Sequence, residues 1–136
     1  MEKAGRAHIL VTFIIFILVS FGCGSNEKEK QAETLQKGSE LFTKYGCTVC
    51  HSLEGKVIYG PALNDIYGKE AKVIRNGQEI NITVDREYLI KAISDPRFEK
   101  VAAFQNKEMP IPAFQKEDAG ILADYIILIN QKNTRK

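Results

Sequence analysis

Cys47, Cys50 and His51, in the run CTVCH, carry the clearest chemistry in this chain. Two thiols three residues apart, followed at once by a histidine, suit covalent attachment of haem c: the sulfurs add across the two vinyl groups and the imidazole is placed to ligate the iron. Two other chemistries draw on the same residue types. A zinc site needs four ligands. With an N-terminal signal removed, the chain has one histidine and this one cysteine pair, so carboxylates would have to complete such a site. A thioredoxin-like redox pair needs a preceding strand in a βαβ frame, whereas the residues before Cys47 have helical spacing.

The second iron ligand decides what such a site does. An open iron face binds small molecules, and a closed one passes only electrons. The chain's methionines are Met1 and Met109, and its histidines are His8 and His51. Met1 and His8 fall in the N-terminal signal, which leaves Met109 as the thioether of the mature chain. A lone methionine is more often a core filler, but Pro110 and Pro112 follow this one. Proline fixes φ and restrains the residue before it, so the segment is a stiff, extended loop suited to holding a weak ligand. The expected iron ligands are His51 and Met109, with thioether ligation raising the reduction potential.

Residues 1–22 have the layout of a secretory signal. Lys3 and Arg6 precede an uncharged, mostly apolar run over 9–21, too short for a bilayer span of about 20 residues. The run ends in Gly22 and Cys23, like a bacterial lipoprotein cleavage site, although Ser20 and Phe21 stand where leucine and a small residue are usual. Cys23 is the expected lipidation site. Residues 23–34 would form a charged, solvated tether, 35–131 the folded domain and 132–136 a polar tail. Both the signal and the attachment chemistry imply an extracytoplasmic protein, and lipidation of Cys23, where an ordinary signal peptide is the alternative, would anchor it to a membrane.

The composition, 44% hydrophobic and 26% charged, is that of a globular chain. The formal charge of +2, without a basic and aromatic tract, gives no footprint for nucleic acid. Helical spacing places a first helix over 32–45, with Leu35, Gly38, Leu41, Phe42 and Tyr45 on one face and Gly46 stopping it. Gly38 costs about 1 kcal/mol relative to Ala, which suggests close approach by another helix. Residues 55–68 read as a loop in which Gly60-Pro61 can aim a carbonyl at His51 Nδ1. Residues 72–84 read as a two-stranded ribbon turning at Asn76-Gly77. A second helix over 85–94 is capped by Asp85 or Thr83, with Tyr88, Leu89, Ala92 and Ile93 as its buried stripe. Residues 97–106 read as a loop leading to Met109, and 116–131 as the last helix. That helix carries Ile121, Leu122, Tyr125, Ile126, Leu128 and Ile129 on a wide apolar stripe. The fold class is mainly α: three to four helices around one haem, with a small β-hairpin insertion.

Residues 37–129 resemble a class I c-type cytochrome. They are most similar to the cytochrome c domain fused to the C-terminus of some bacterial cytochrome oxidase subunits II. The matching runs are GSELF at 38–42, CTVCH, GPAL at 60–63, Tyr67-Gly68, the Asn76-Gly77 hairpin, VDREYL at 84–89, ISDP at 93–96, Met109-Pro110 and LADYI at 122–126. The resemblance implies a cytochrome c fold, haem attachment at Cys47 and Cys50, iron ligation by His51 and Met109, and a hydrogen bond from His51 to the Pro61 carbonyl. It also implies packing of Gly38 and Phe42 on Leu122 and Tyr125. The copper-site residues and paired membrane helices of those oxidase subunits have no counterpart in this sequence. The functional expectation is a non-enzymatic, monohaem electron carrier in a respiratory chain. It would be a monomer meeting redox partners, such as a respiratory complex or terminal oxidase, in transient complexes. A cytochrome fixed in a larger respiratory assembly is a second reading, and a haem sensor or peroxidase with a labile Met109 a third.

Overall fold

The computed structural model describes residues 24–134. The expected signal peptide and Cys23 lie outside the described residues. The chain divides into two units, 1–33 and 34–136.

The first helix, α1, is Gly24–Lys44, so helix begins well before residue 32. Its early residues are charged, as those of a solvated tether are, and Glu, Lys, Gln and Ala are also strong helix formers. Within the first unit, Gln31 Nε2 donates to Glu27 at 3.4 Å, one turn away.

In the second unit, α1 ends where Gly46 takes the left-handed conformation, φ 68°. A one-turn helix, α2, follows at Cys47–Cys50. Next come strands β1 (Glu70–Arg75) and β2 (Gln78–Thr83), helix α3 (Arg86–Ser94), a short strand β3 (Lys100–Val101), a 3-10 turn at Ala102–Phe104, and helix α4 (Asp118–Thr134). The fold is the expected mainly α arrangement with a β insertion.

β1 and β2 pair antiparallel from Glu70↔Thr83 to Arg75↔Gln78. Asn76 and Gly77 both have positive φ, 52° and 78°, as a type I′ turn requires. The expected ribbon is corrected in one respect. β3, inside the segment read as a loop, pairs with the other edge of β1 through Val73↔Val101 and Ile74↔Lys100, giving the order β2-β1-β3. An isolated hairpin is marginal. The third strand leaves Val73 with no exposed surface at the centre of the sheet.

Asp85 caps α3, its side chain accepting from the Tyr88 N–H at 2.7 Å. Arg86 grips Asp124 of α4 with two nitrogens, at 2.6 and 2.9 Å. Both side chains are largely exposed, so the pair contributes up to about 1 kcal/mol. The core joins Leu41 and Phe42 of α1, Leu89 of α3 and Leu122, Ala123, Tyr125, Ile126 and Ile127 of α4, with Leu63 and Val84 from the intervening segments. The Phe42 and Tyr125 rings lie 5.8 Å apart at 55°. A Cβ at Gly38 would run into the Tyr125 side chain, so the absence of a side chain there is what lets α1 and α4 approach.

Asn130 is buried in the last turns of α4, and its amide ties that helix to the loop after α2. Oδ1 accepts from the N–H groups of Ile66 and Tyr67 at 2.6 and 2.9 Å. Nδ2 donates to the carbonyls of Leu63 and Ile126 at 2.7 and 2.8 Å. Among the described residues no helix is long and apolar enough to cross a membrane.

Candidate haem site

The site begins at Gly46. Its left-handed φ ends α1 and turns the chain directly into α2, a conformation that costs glycine nothing. Cys47 and Cys50, three apart on one helical turn, share a face, and both are half-buried free thiols. Burial pushes the Cys47 thiol above its ordinary value; a backbone hydrogen bond opposes this and the neighbouring Cys50 adds to it. A redox-active thiol needs the opposite shift, and the element before the pair is a helix, so thioredoxin-like chemistry is disfavoured. Among the described residues no cluster of three or more His, Cys, Asp or Glu side chains is arranged to hold a metal ion.

His51 leaves α2 in an extended conformation, φ −122° and ψ 134°, with its N–H donating to the Cys47 carbonyl. Its Nδ1 lies 2.9 Å from the Pro61 carbonyl oxygen. A carbonyl only accepts, so Nδ1 carries the proton, and in the neutral ring Nε2 then keeps its lone pair. The loop that delivers Pro61 is itself pinned: the Gly60 N–H donates to the Cys50 carbonyl at 2.9 Å and the Leu63 N–H to the Ser52 carbonyl at 2.8 Å. A Cβ on Gly60 would sit 3.0 Å from His51 Nδ1 and 3.1 Å from Nε2. The imidazole fills the space a side chain would take.

Cys47, Cys50, His51, Pro61 and Met109 all line one cavity of about 210 Å³. Its walls are mostly apolar: Phe42 from α1, Leu63 and Ile66 from the loop after α2, Leu89, Ala92 and Ile93 from α3, and Leu122 and Ile126 from α4. Val101, Phe104, Pro110 and Pro112 extend the wall around Met109, which is half-buried. The lining suits an apolar macrocycle with a metal at its centre. It offers two thiols on one turn, an imidazole with its outer nitrogen free and held by a backbone carbonyl, and a thioether.

Three features of the wall have no clear sequence signal. Tyr45 donates its hydroxyl to Asp118 and packs edge-on against Phe114, with ring centroids 4.7 Å apart. Asp118 also accepts from the Gln115 N–H at 3.3 Å. The Tyr45 hydrogen bond, against some desolvation, holds the Asp118 carboxyl below its ordinary value, with Gln115, Lys44 and Lys37 adding to the effect. Glu99, buried in the wall, is ion-paired with Arg75. Asn130 lies behind the wall formed by Leu63 and Ile66. Of these, Asn130 alone left a trace in the sequence, as a polar residue within an apolar helical pattern.

A search of curated proteins finds no significant match to the chain. The family model described as Cytochrome c matches residues 35–127, a stretch that begins in α1, runs through the CTVCH turn and Met109, and ends in α4. Members of that family bind haem c covalently and transfer electrons through it, and this chain belongs to the cytochrome c family.

Proposed function

We propose that the chain binds one haem c through Cys47 and Cys50, ligates its iron with His51 and Met109, and carries single electrons in an extracytoplasmic respiratory chain while tethered to a membrane through Cys23. Bound haem supplies a one-electron iron couple. The observation that carries the reading is the convergence of the two thiols, the Pro61-held imidazole and the thioether on one apolar cavity.

Each residue has a distinct task. Cys47 and Cys50 would hold the macrocycle covalently. His51 presents Nε2, with Pro61 setting its tautomer and raising its basicity. Met109, stiffened by Pro110 and Pro112, supplies a ligand that favours the reduced metal. The apolar walls exclude water, so little reorganises when charge changes.

Exposed apolar side chains adjoin the cavity-lining residues along the chain. Val49 lies between the two cysteines, Val57 and Ile58 precede Tyr59, and Ile111 lies between the two prolines. They support a small, transient docking face for a redox partner. The Asn76-Gly77 hairpin followed by Asp85-x-x-Tyr88-Leu89 favours the oxidase-linked branch of the family. For the tether, the support is the signal pattern ending at Cys23.

The test is purification after expression with haem-attachment machinery. The matured protein should carry one haem that survives denaturation, and Met109→Ala should lose the far-red thioether–iron absorption and lower the potential. An unchanged spectrum in that variant would remove Met109 from the ligand set. Cys23→Ser should abolish labelling by radioactive palmitate and release the protein from membranes.

A further inference from the structure

Glu99 stands directly before β3, and the pairing of Lys100 with Ile74 brings it beside Arg75 at the end of β1. The glutamate side chain is 1% exposed, while that of Arg75 is 47% exposed. Arg75 Nε donates to Oε1. The other oxygen, Oε2, is buried and has no hydrogen-bond partner among the described residues. Glu99 also lines the cavity. A buried charge is normally both paired and fully hydrogen-bonded. Here the cation is half in water, where its field is screened, and one carboxylate oxygen has no partner among the described residues.

The other polar groups around Glu99 add no second partner to Arg75 among the described residues. From α3, Tyr88 lines the same cavity and is neutral; burial first, and then the charge on Glu99, push its phenol above the ordinary value. Lys91 of α3 lies over the Phe98 ring, 4.8 Å from its centroid. Lys100 of β3 is ion-paired with Glu108, and Lys107 lies over the Tyr59 ring.

We propose that Glu99, held by Arg75, sets the reduction potential of the haem by placing a poorly screened negative charge in the cavity wall. The inference rests on haem occupying this cavity. Reduction adds one electron and lowers the net charge of the iron centre by one; no bond changes and no proton moves. A nearby anion opposes that change, so the carboxylate favours the oxidised state, against the pull of the Met109 thioether toward the reduced one. Because Glu99 lies away from water, its field is weakened far less than that of a surface carboxylate.

Potentiometric titration of the haem-loaded protein tests this. Glu99→Gln keeps the shape and the acceptor for Arg75, and Glu99→Leu suits an apolar wall. Both should raise the midpoint potential, shifting the oxidised-to-reduced ratio at fixed potential severalfold to tenfold, tenfold being 59 mV for one electron. Glu99→Asp keeps the charge and should stay close to the unmodified protein. Asp65→Asn, at a side chain 67% exposed and outside the cavity lining, should shift the potential much less. An unchanged or lowered potential in the charge-free variants, or an equal shift from Asp65→Asn, overturns the proposal. So does failure of both charge-free variants to attach haem, which would make Glu99 a folding residue only. An unmodified protein without covalent haem, or without thioether ligation, would instead refute the ligand assignment above.

Discussion

His51 and Pro61 are joined through the backbone: the imidazole Nδ1–H donates to the Pro61 carbonyl oxygen at 2.9 Å. Every residue type carries that acceptor, so the bond depends on where the loop lies and not on the proline side chain. Pro61→Ala should therefore keep the bond and leave the haem spectrum close to that of the unmodified protein. Gly60→Ala should not, because its Cβ has no room beside the imidazole. The expected loss is about 1–3 kcal/mol of stability by overpacking, together with a disturbed His51. Denaturant unfolding and visible spectra of the two variants check the contrast; equal behaviour would mean that the loop yields easily.

Asn130 makes four hydrogen bonds from one buried amide, three of them to the loop that carries Pro61 toward His51. Asn130→Ala leaves two N–H groups and a loop carbonyl without partners. The Leu63 carbonyl is buried and the two N–H groups part-buried; a buried orphan costs about 1–3 kcal/mol and a part-buried one less, so a loss of about 2–4 kcal/mol is expected. Asn130→Asp keeps the acceptor for Ile66 and Tyr67 but sets carboxylate oxygens against the Leu63 and Ile126 carbonyls, so it too should destabilise. Guanidinium melts of the haem-loaded variants report both; a midpoint unmoved by Asn130→Ala would show that the loop holds itself.

Local chemistry made much of this architecture legible. CTVCH names its cofactor, Asn76-Gly77 needs only two positive φ values, and Asp85 caps the helix that follows it. What stayed hidden depends on partners distant in sequence. Two residues of β3 have no pattern of their own and become a strand only because β1 offers an open edge. Glu99 resembles any surface glutamate until that pairing brings it beside Arg75. Met109 was legible as a candidate ligand by elimination, whereas Tyr45 and Asp118, which brace the end of its loop, lie 73 positions apart. The start of α1 was obscured for another reason, since a run of Glu and Lys serves a solvated tether and an exposed helix equally well.

The Tyr45–Asp118–Gln115 tie should make the Met109 loop acid-sensitive. The Asp118 carboxyl sits below its ordinary value of about 3.9, so the folded state favours the ionised form. That stabilisation is complete above the unfolded value and is lost as pH falls through the depressed one. Acid should therefore weaken the far-red thioether–iron absorption below about pH 4. Asp118→Asn and Tyr45→Phe should be less stable than the unmodified protein at neutral pH and should show less of this acid dependence. A spectrum equally acid-sensitive in all three proteins would assign the transition to another group.

At Gly38 two effects of known size oppose each other. Alanine is better than glycine inside a helix by about 1 kcal/mol, so Gly38→Ala would stabilise α1 if the position were open. It is not: the added Cβ would lie 2.6 Å from Tyr125 Cγ, and Tyr125 is 7% exposed and packed against Phe42, with nowhere to retreat. Overpacking of this kind costs about 1–3 kcal/mol, which exceeds the gain in propensity. Gly38→Ala should therefore lower stability, whereas Gly38→Ala combined with Tyr125→Gly, which removes the crowding Cβ as well as the ring, should lose less than the two single changes added together. A coupling near zero in that double-mutant cycle would mean that the contact between α1 and α4 does not depend on this glycine.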